Sequence, residues 1–177
     1  MKLPKKCVVD TNVPQIANLA ACHDSNSDVP EECILACIDA IDHVIRQRAL
    51  VIDKGGEIFE EYRHNLSMSG QPGQGDFFLK WVHDHQWTLP KSQLVTITRE
   101  DNDAYKEFPA YDGLTGFDPS DKKFVAVANA HPKNPPILQA TDSKWWGWKE
   151  SLAECGISVV FLCSEYVKEK YAKKISK

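Results

Sequence analysis

Long apolar runs are missing from this sequence. No segment offers the roughly 20 consecutive apolar residues that a transmembrane helix needs, so the sequence predicts no membrane span. The N-terminal stretch MKLPKKCVVD carries two lysines after Pro4 but too few apolar residues behind them for a signal peptide. We therefore expect a cytoplasmic protein that has no membrane partner.

An excess of charge of either sign is also missing. The chain has 21 Lys and Arg residues against 25 Asp and Glu residues, a formal net charge of −4 at pH 7. A protein with this balance has no general attraction for nucleic acids or for anionic membranes. Any binding of nucleic acid therefore requires a local basic patch.

The cysteines contain no CxxC pair. Cys33 and Cys37 share a face of a helix-like stretch, but no second ligand pair has the spacing of a zinc site. Most of the six lie inside apolar runs, which predicts reduced thiols in a cytoplasmic core. The six are Cys7, Cys22, Cys33, Cys37, Cys155 and Cys163.

Two common catalytic motifs are absent as well. The stretch GQPGQG has no strand before it and no GK[ST] after it, so it predicts a surface loop, or a lid, and no nucleotide site. No GxSxG elbow is present, and His83 and His85 are two residues apart, on different faces of a helix. These absences argue against a serine hydrolase and against a histidine metal site.

What the sequence does contain is a regular alternation of strand and helix patterns. Short β-branched runs at 7–10, 49–53, 93–98, 137–140 and 157–162 predict strands, and helix patterns separate them. Such an order favours a single α/β domain over 1–177, with a parallel sheet covered on both faces. Residues 67–87 predict a mobile loop and an added helix that Asp76 caps, and 164–177 predict a Lys-rich terminal helix.

Four acidic residues lie at the element ends where such a sheet binds ligands. Asp10 follows the first strand and Asp142 the fourth, so both should face the crevice beyond the strand ends. Asp121 lies in the first turn of a helix, and Glu61 lies in the helix after the second strand. Each acid alone is well explained as a helix cap or a solvated residue, but four in one crevice favour catalysis.

Carboxylates packed together repel one another, and a divalent cation removes the conflict. A ligand set made only of carboxylate oxygens suits Mg²⁺ or Mn²⁺ and not Zn²⁺. A cation held in this way polarises a phosphate and activates a water molecule. If the four side chains converge, the sequence predicts metal-assisted phosphoryl chemistry.

The stretches CVVDTNV, FEEYRHNL, DPSDKKFVAVANAH and QATDSKW, in this order, resemble the PIN-domain family of metal-dependent ribonucleases. The resemblance runs from the first strand to about Leu162. It implies a three-layer α/β/α fold with a central parallel sheet of about five strands. It also implies an acidic cluster that holds one or two Mg²⁺ or Mn²⁺ ions and hydrolyses phosphodiester bonds in RNA.

The resemblance assigns each acid a role as metal ligand and catalytic residue. By this resemblance, Asn12 and Thr141 orient ligands or phosphate oxygens. The family's second acid is ambiguous here, because Glu57 and Glu60 lie close to the residue that matches it. The four matching acids, in the family's order, are Asp10, Glu61, Asp121 and Asp142.

The chain also departs from the family. Many members carry a further acid two residues beyond the fourth, where this chain has Lys144. This departure favours an alternative, a catalytically silent PIN-like module that binds RNA or protein. A phosphohydrolase of the haloacid dehalogenase type is a third candidate, but it needs an acid where this chain has Asn12.

The biological setting that the resemblance implies is a toxin of a toxin–antitoxin pair, a defence nuclease or RNA processing. A toxin would need an antitoxin-like partner protein that blocks the crevice, and a homodimer is left open. Aromatic and basic residues near the third and fourth acids predict contacts with bases and phosphates, or plain packing. They are Lys122, Lys123, Lys144, Trp145, Trp146, Trp148 and Lys149.

Overall fold

The computed structural model of this chain describes residues 2–21 and 27–176. Within these ranges five strands alternate with seven helices, so the predicted α/β class is confirmed. The strands are β1 (Val8–Val9), β2 (Ile52–Asp53), β3 (Leu94–Val95), β4 (Ile137–Gln139) and β5 (Val159–Phe161). The helices are α1 (Asn12–Asn18), α2 (Glu31–Gln47), α3 (Glu57–Asn65), α4 (Gln74–His85), α5 (Lys122–Ala130), α6 (Ser143–Glu154) and α7 (Ser164–Ile175).

The strands pair in parallel but form two sheets. One sheet has the order β1-β4-β5, with Val8 opposite Ile137, and the other pairs β2 with β3. The prediction of one central sheet of about five strands is therefore wrong. Among the described residues one isolated bridge joins the two sheets: the N–H of Cys7 donates to the carbonyl of Ala49, and the carbonyl of Cys7 accepts from the N–H of Val51. From Ile52 onward, beyond this bridge, β2 pairs with β3 and not with β1.

Helix α2 buries one face against the core. Its buried side chains recur three and four residues apart, as on one face of a helix, and include Cys37, Ile41 and Val44. The helix ends at Arg48, whose φ of 48° places it in the left-handed region. The linker predicted before this helix, at 23–30, begins outside the described residues.

Helices α1 and α4 approach each other very closely at a glycine. A Cβ atom on Gly75 would lie 1.9 Å from the carbonyl oxygen of Pro14, so only glycine fits there. Asn18 also binds α4, since its Nδ2 donates to Asp76 at 2.8 Å. The prediction that Asp76 caps α4 is wrong, because the helix begins at Gln74, and the Asp76 carboxylate instead accepts from the N–H of Gly73 at 3.2 Å.

One hydrophobic cluster contains residues from Cys7 to Ile157 and underlies both sheets. Tyr62 is fully buried in it, and its hydroxyl donates to the carbonyl of Val9 at 2.5 Å, which fixes α3 beside the end of β1. The cysteines of the described residues are free thiols, while Cys22 lies outside them. No helix in the described part of the chain is both long and apolar enough to cross a membrane.

Candidate active site

All six side chains that the sequence singles out line one cleft. The cleft has a volume of about 310 Å³ and lies beyond the carboxyl ends of β1 and β4. Because these two strands are parallel neighbours, the residues that follow them emerge at the same edge of the sheet. The six residues are Asp10, Asn12, Glu61, Asp121, Thr141 and Asp142.

Asp10 is the most deeply placed of the four acids. Only 4% of the residue is exposed, and its Oδ1 accepts one hydrogen bond, from the N–H of Asn12 at 2.8 Å. Burial raises the pKa of Asp10 well above its ordinary value, and the negative charge of Asp121 raises it further. In the absence of a cation the cleft therefore disfavours the ionised form of this carboxyl group.

Asp121 lies at the end of a short 3₁₀ turn, Pro119–Asp121, which leads into α5. Its Oδ2 accepts a hydrogen bond from the indole N–H of Trp145 at 3.1 Å. Trp145 is only 1% exposed, so it packs in the core and positions Asp121 and does not stack on a base. Burial, followed by the nearby charge of Asp118, raises the pKa of Asp121 to about 7.

Asp142 is both a helix cap and a cleft residue. Its Oδ1 accepts from the N–H of Lys144 at 2.9 Å at the start of α6, which is the capping role that a lone Asp predicts. The same carboxylate lines the cleft opposite Asp10 and contributes to the raised pKa of that group. The two roles coexist because a carboxylate has a second oxygen.

Asn12 and Thr141 bind each other. The Oδ1 of Asn12 accepts from the N–H of Thr141 at 2.6 Å and from its hydroxyl at 3.1 Å. These bonds tie the segment after β1 to the segment after β4. The structure therefore places this pair where it holds Asp10 and Asp142 at a fixed separation.

Glu61 is the acid of α3 that lines this cleft. Its Oε1 accepts from the hydroxyl of Thr11 at 3.0 Å. Glu57 instead accepts from the Tyr105 hydroxyl at 3.1 Å, and Glu60 forms an exposed ion pair with Arg63 at 3.0 Å. The geometry thus distinguishes the three glutamates that the sequence leaves ambiguous.

A lysine neutralises Glu61. The Nζ of Lys123 donates to Oε2 of Glu61 and to the carbonyl of Ser120, and both side chains of the ion pair are mostly buried. The sequence indicates Lys123 only as a phosphate contact, and its pairing with Glu61 depends on how α3 and α5 pack. This ion pair places one positive charge beside the acidic cleft, against a carboxylate that lines it.

Sequence reasoning missed further polar residues of the cleft. Gln15 lies one turn after Thr11 on α1, and Asn65 lies one turn after Glu61 on α3; their side chains hydrogen-bond at 3.1 Å. Gln15 lies three residues after Asn12 and Asn65 lies four residues after Glu61, and these helical spacings from predicted site residues are a signal that would have found them. Lys170 of α7 also lines the cleft, and the Lys-rich tail predicts such a contact only in general terms.

The oxygen donors of the cleft suit a hard cation, although they are not arranged as a complete coordination site. In the described ranges no three His, Cys, Asp or Glu side chains form a ready-made metal-binding group. Each of three acids has one carboxylate oxygen that makes no hydrogen bond to a described residue, and their burial leaves negative charge poorly solvated. Oxygen ligands and uncompensated charge are what Mg²⁺ and Mn²⁺ require. The three acids are Asp10, Asp121 and Asp142.

A second lysine, at the start of α6, pairs with an aspartate that lies outside the lining of the cleft. The Nζ of Lys144 donates to Oδ2 of Asp118 at 2.7 Å, and this bond lowers the pKa of Asp118 to about 2. Asp118 also accepts from the N–H of Ser120 at 3.1 Å and so caps the 3₁₀ turn Pro119–Asp121. Lys144 therefore occupies the sequence position of a further family acid and is bound to a neighbouring carboxylate.

Comparisons of the chain with protein-family models, with curated proteins and with solved structures gave no significant match. The resemblance to PIN domains therefore rests on the sequence motifs.

Proposed function

We propose that this chain is a PIN-like, metal-dependent endoribonuclease that hydrolyses phosphodiester bonds in RNA. The proposal includes the three-layer α/β/α arrangement of that family. One observation carries it: four carboxylates from four separate elements of the fold line one cleft, and the deepest of them is 4% exposed. A cluster of this kind is costly unless a cation joins it, so it favours a catalytic over a structural role.

The residues that would hold Mg²⁺ or Mn²⁺ are Asp10, Asp121 and Asp142, with Glu61 at the side. When bound, the cation would act as a Lewis acid on a phosphate oxygen and lower the pKa of an attacking water. The ammonium group of Lys123 already balances one negative charge, which favours a single ion over two. The hydrogen bond from Trp145 to Asp121 and the bonds between Asn12 and Thr141 keep these ligands in place.

The reaction needs a water molecule, a phosphodiester and a proton acceptor. The water oxygen adds to phosphorus and a carboxylate of the cleft takes the proton from the water, while the bond from phosphorus to one ester oxygen breaks and that oxygen takes up a proton from solvent to leave as a hydroxyl group. Lys170 lies in the lining of the cleft, where its positive charge would attract the phosphate. The polymer would supply further phosphates on either side of the cleft.

A catalytically silent module that binds RNA or protein is the second candidate. The observation that favours it is the pair of lysines, Lys123 and Lys144, each of which is bound to a carboxylate in or beside the cleft. A toxin role with an antitoxin-like partner and a homodimer stay predictions within the first proposal. Both candidates share the same fold and differ in whether the cleft turns over a substrate.

Cleavage of labelled single-stranded RNA with Mn²⁺ separates the two candidates. We expect the wild-type chain to cut the RNA and Asp10→Asn to lose at least about 100-fold of that rate, because the substitution removes a ligand charge. The matched control is Asp84→Asn, which makes the same change on the exposed surface of α4 and should cut at the wild-type rate. Failure of the wild type to cut any RNA with Mn²⁺ or Mg²⁺ would favour the silent module.

A further inference from the structure

A second cavity adjoins the acidic cleft. Its volume is about 670 Å³, within the range of small-ligand pockets, and it is lined by α6, α7 and the loop before α5. The side chains that give it chemical character are two aromatic rings, Trp148 and Tyr171, and two lysines, Lys144 and Lys174. The cavity therefore combines flat apolar surface with positive charge.

The cavity and the cleft are connected through hydrogen bonds of Lys144 at the start of α6. The Nζ of Lys144 meets Oδ2 of Asp118 at 2.7 Å, and both residues line the cavity. The backbone N–H of Lys144 donates to Asp142, which lines the acidic cleft, at 2.9 Å. The cleft and the cavity are therefore neighbours, and we expect a linear polymer bound at the cleft to extend towards the cavity.

Trp148 differs from the two tryptophans before it in its burial and packing. Trp145 is buried, and Trp146 packs on Phe161 with the Nζ of Lys149 only 3.9 Å from its ring centre. Trp148 is half-buried, contacts Phe117 at a ring distance of 5.8 Å and lines the cavity with its remaining surface. Of the sequence's three candidates for base stacking, only Trp148 lines a described cavity.

Tyr171 reaches the cavity because α6 has a glycine where the two helices touch. A Cβ atom on Gly147 would lie 2.8 Å from Cε2 of Tyr171 and 2.7 Å from its hydroxyl oxygen. Any larger residue would push the Tyr171 ring away from this position. The aromatic surface of the cavity thus depends on the smallest side chain of α6.

Two lysines of helix α7 line different sites. Lys170 lines the acidic cleft, and Lys174, one helical turn later, lines the cavity. Lys173 is exposed and lines neither of them. In a chain with a net charge of −4, Lys170 and Lys174 supply the local basic patch that binding of nucleic acid requires, whereas Asp118 balances the charge of Lys144.

We propose that this cavity is a nucleotide subsite for single-stranded RNA, which receives the unit next to the phosphate held at the acidic cleft. The inference rests on the proposed function, since the cleft defines where the strand runs. The base lies against Trp148 and Tyr171, and Lys174 neutralises the adjoining phosphate. Single-stranded RNA is favoured because only an unpaired base exposes its face for stacking.

Binding is measured in the Asp10→Asn background with Mg²⁺, so that the RNA stays intact, by fluorescence anisotropy of a labelled single strand. We expect Trp148→Ala and Tyr171→Leu each to weaken binding about tenfold, the usual effect of losing a stacking partner. Trp87→Ala is the control, because Trp87 is 71% exposed and lies outside the cavity, and it should change nothing. Equal affinity of single-stranded and duplex RNA would overturn the subsite.

A second pair of variants avoids any loss of packing around Trp148. Lys174→Glu should weaken RNA binding and reduce the slope of log affinity against log salt concentration by about one. Lys173→Glu makes the same change on the neighbouring exposed residue and should have a much smaller effect. Equal effects of the two variants would show general attraction to α7 and would contradict the subsite.

An RNA with one abasic unit tests whether the loss of affinity in these variants comes from a base in the cavity. Moving that unit along the strand should reveal one position that costs the wild-type protein about tenfold and costs Trp148→Ala nothing further. If every position costs both proteins equally, no base occupies the cavity, and a protein segment becomes its better occupant.

The two proposals fail in different ways. If Asp10→Asn abolishes cleavage while the Trp148, Tyr171 and Lys174 variants bind and cut like the wild type, the subsite is wrong and hydrolysis stands. If the wild type cuts nothing but the abasic position and Trp148 remain coupled, the subsite stands on a silent module.

Discussion

Asp10 and Asp53 form a natural pair within this molecule. Each follows two β-branched residues at the carboxyl end of a parallel strand, and they are 4% and 2% exposed. Asp53 uses both carboxylate oxygens on the first turn of α3, accepting from Glu57 at 2.8 Å and from Ile58 at 3.0 Å. Asp10 accepts one backbone N–H and otherwise faces other acids.

The difference shows that the groups surrounding an acid at a strand end determine whether its negative charge is compensated within the fold. A helix N-terminus satisfies Asp53 with oriented N–H groups and a favourable dipole, so its charge needs no further partner. Asp53 therefore caps the first turn of α3 with both of its oxygens. Asp10 has the same local sequence character but lies next to Asp121, Glu61 and Asp142, so its charge is left for a ligand to balance.

The same substitution at the two positions should have opposite effects on stability. Asp53→Asn loses a charge-assisted bond and leaves a buried donor poorly satisfied, so the free energy of unfolding should fall by about 3 kcal/mol. Asp10→Asn removes one of several repelling charges and should stabilise the metal-free protein. Urea unfolding in EDTA measures both, and a loss of stability in Asp10→Asn would break the comparison.

The metal-free protein should become less stable as pH rises from about 4 to about 7. Asp10 and Asp121 have raised pKa values, so the folded chain keeps protons in this range that the unfolded chain has lost. At about 1.4 kcal/mol per pH unit and proton, each proton that the folded chain retains should lower the free energy of unfolding by about 2 kcal/mol between about pH 5.5 and pH 7.

The control for this pH dependence is the double variant Asp10→Asn with Asp121→Asn, whose profile should be flatter. Addition of Mn²⁺ at about pH 7 should restore the lost stability in the wild type only. Below about pH 4 the sign reverses, because the lowered pKa of Asp118 contributes stability that acid removes. Stability that rises steadily from about pH 4 to about pH 7 in EDTA would contradict the buried acidic cluster.

Much of this arrangement is readable from local sequence. The order of elements and the positions of Asp10 and Asp142 follow from short hydrophobic patterns, because parallel strands end at one edge. The division into two sheets does not follow, since it depends on a single bridge at Cys7. Nor does the pairing of Glu61 with Lys123, because the register of α3 against α5 is set by packing and not by either helix alone.

Substitution of Lys123 should leave the Glu61 carboxylate without a compensating charge, as Asp10 is. Lys123→Met removes the ammonium group and leaves the Glu61 carboxylate uncompensated beside the other acids. We expect divalent cations to bind about tenfold more tightly, or about 1.4 kcal/mol, because the cleft gains one net negative charge. Calorimetric titration with Mn²⁺ measures the affinity and the number of ions bound.

Lys122→Met is the matched control for this substitution. The Nζ of Lys122 lies 5.5 Å from the ring centre of Phe108 and makes no ion pair with the described residues, so its loss should leave Mn²⁺ affinity within about twofold. Weaker Mn²⁺ binding in Lys123→Met would mean that the lysine supports the cation site and does not compete with it.

The smallest expected effect comes from neighbouring glutamates on α3. Glu60 pairs with Arg63 at the surface, where an exposed ion pair contributes a few tenths of a kcal/mol, so Glu60→Gln should change neither stability nor Mn²⁺ affinity measurably. Glu61→Gln removes a cleft carboxylate and leaves the Lys123 charge unopposed, which should weaken Mn²⁺ binding several-fold by the same titration. Equal affinities for the two variants would mean that Glu61, like Asp53, is satisfied within the fold and takes no part in holding a cation.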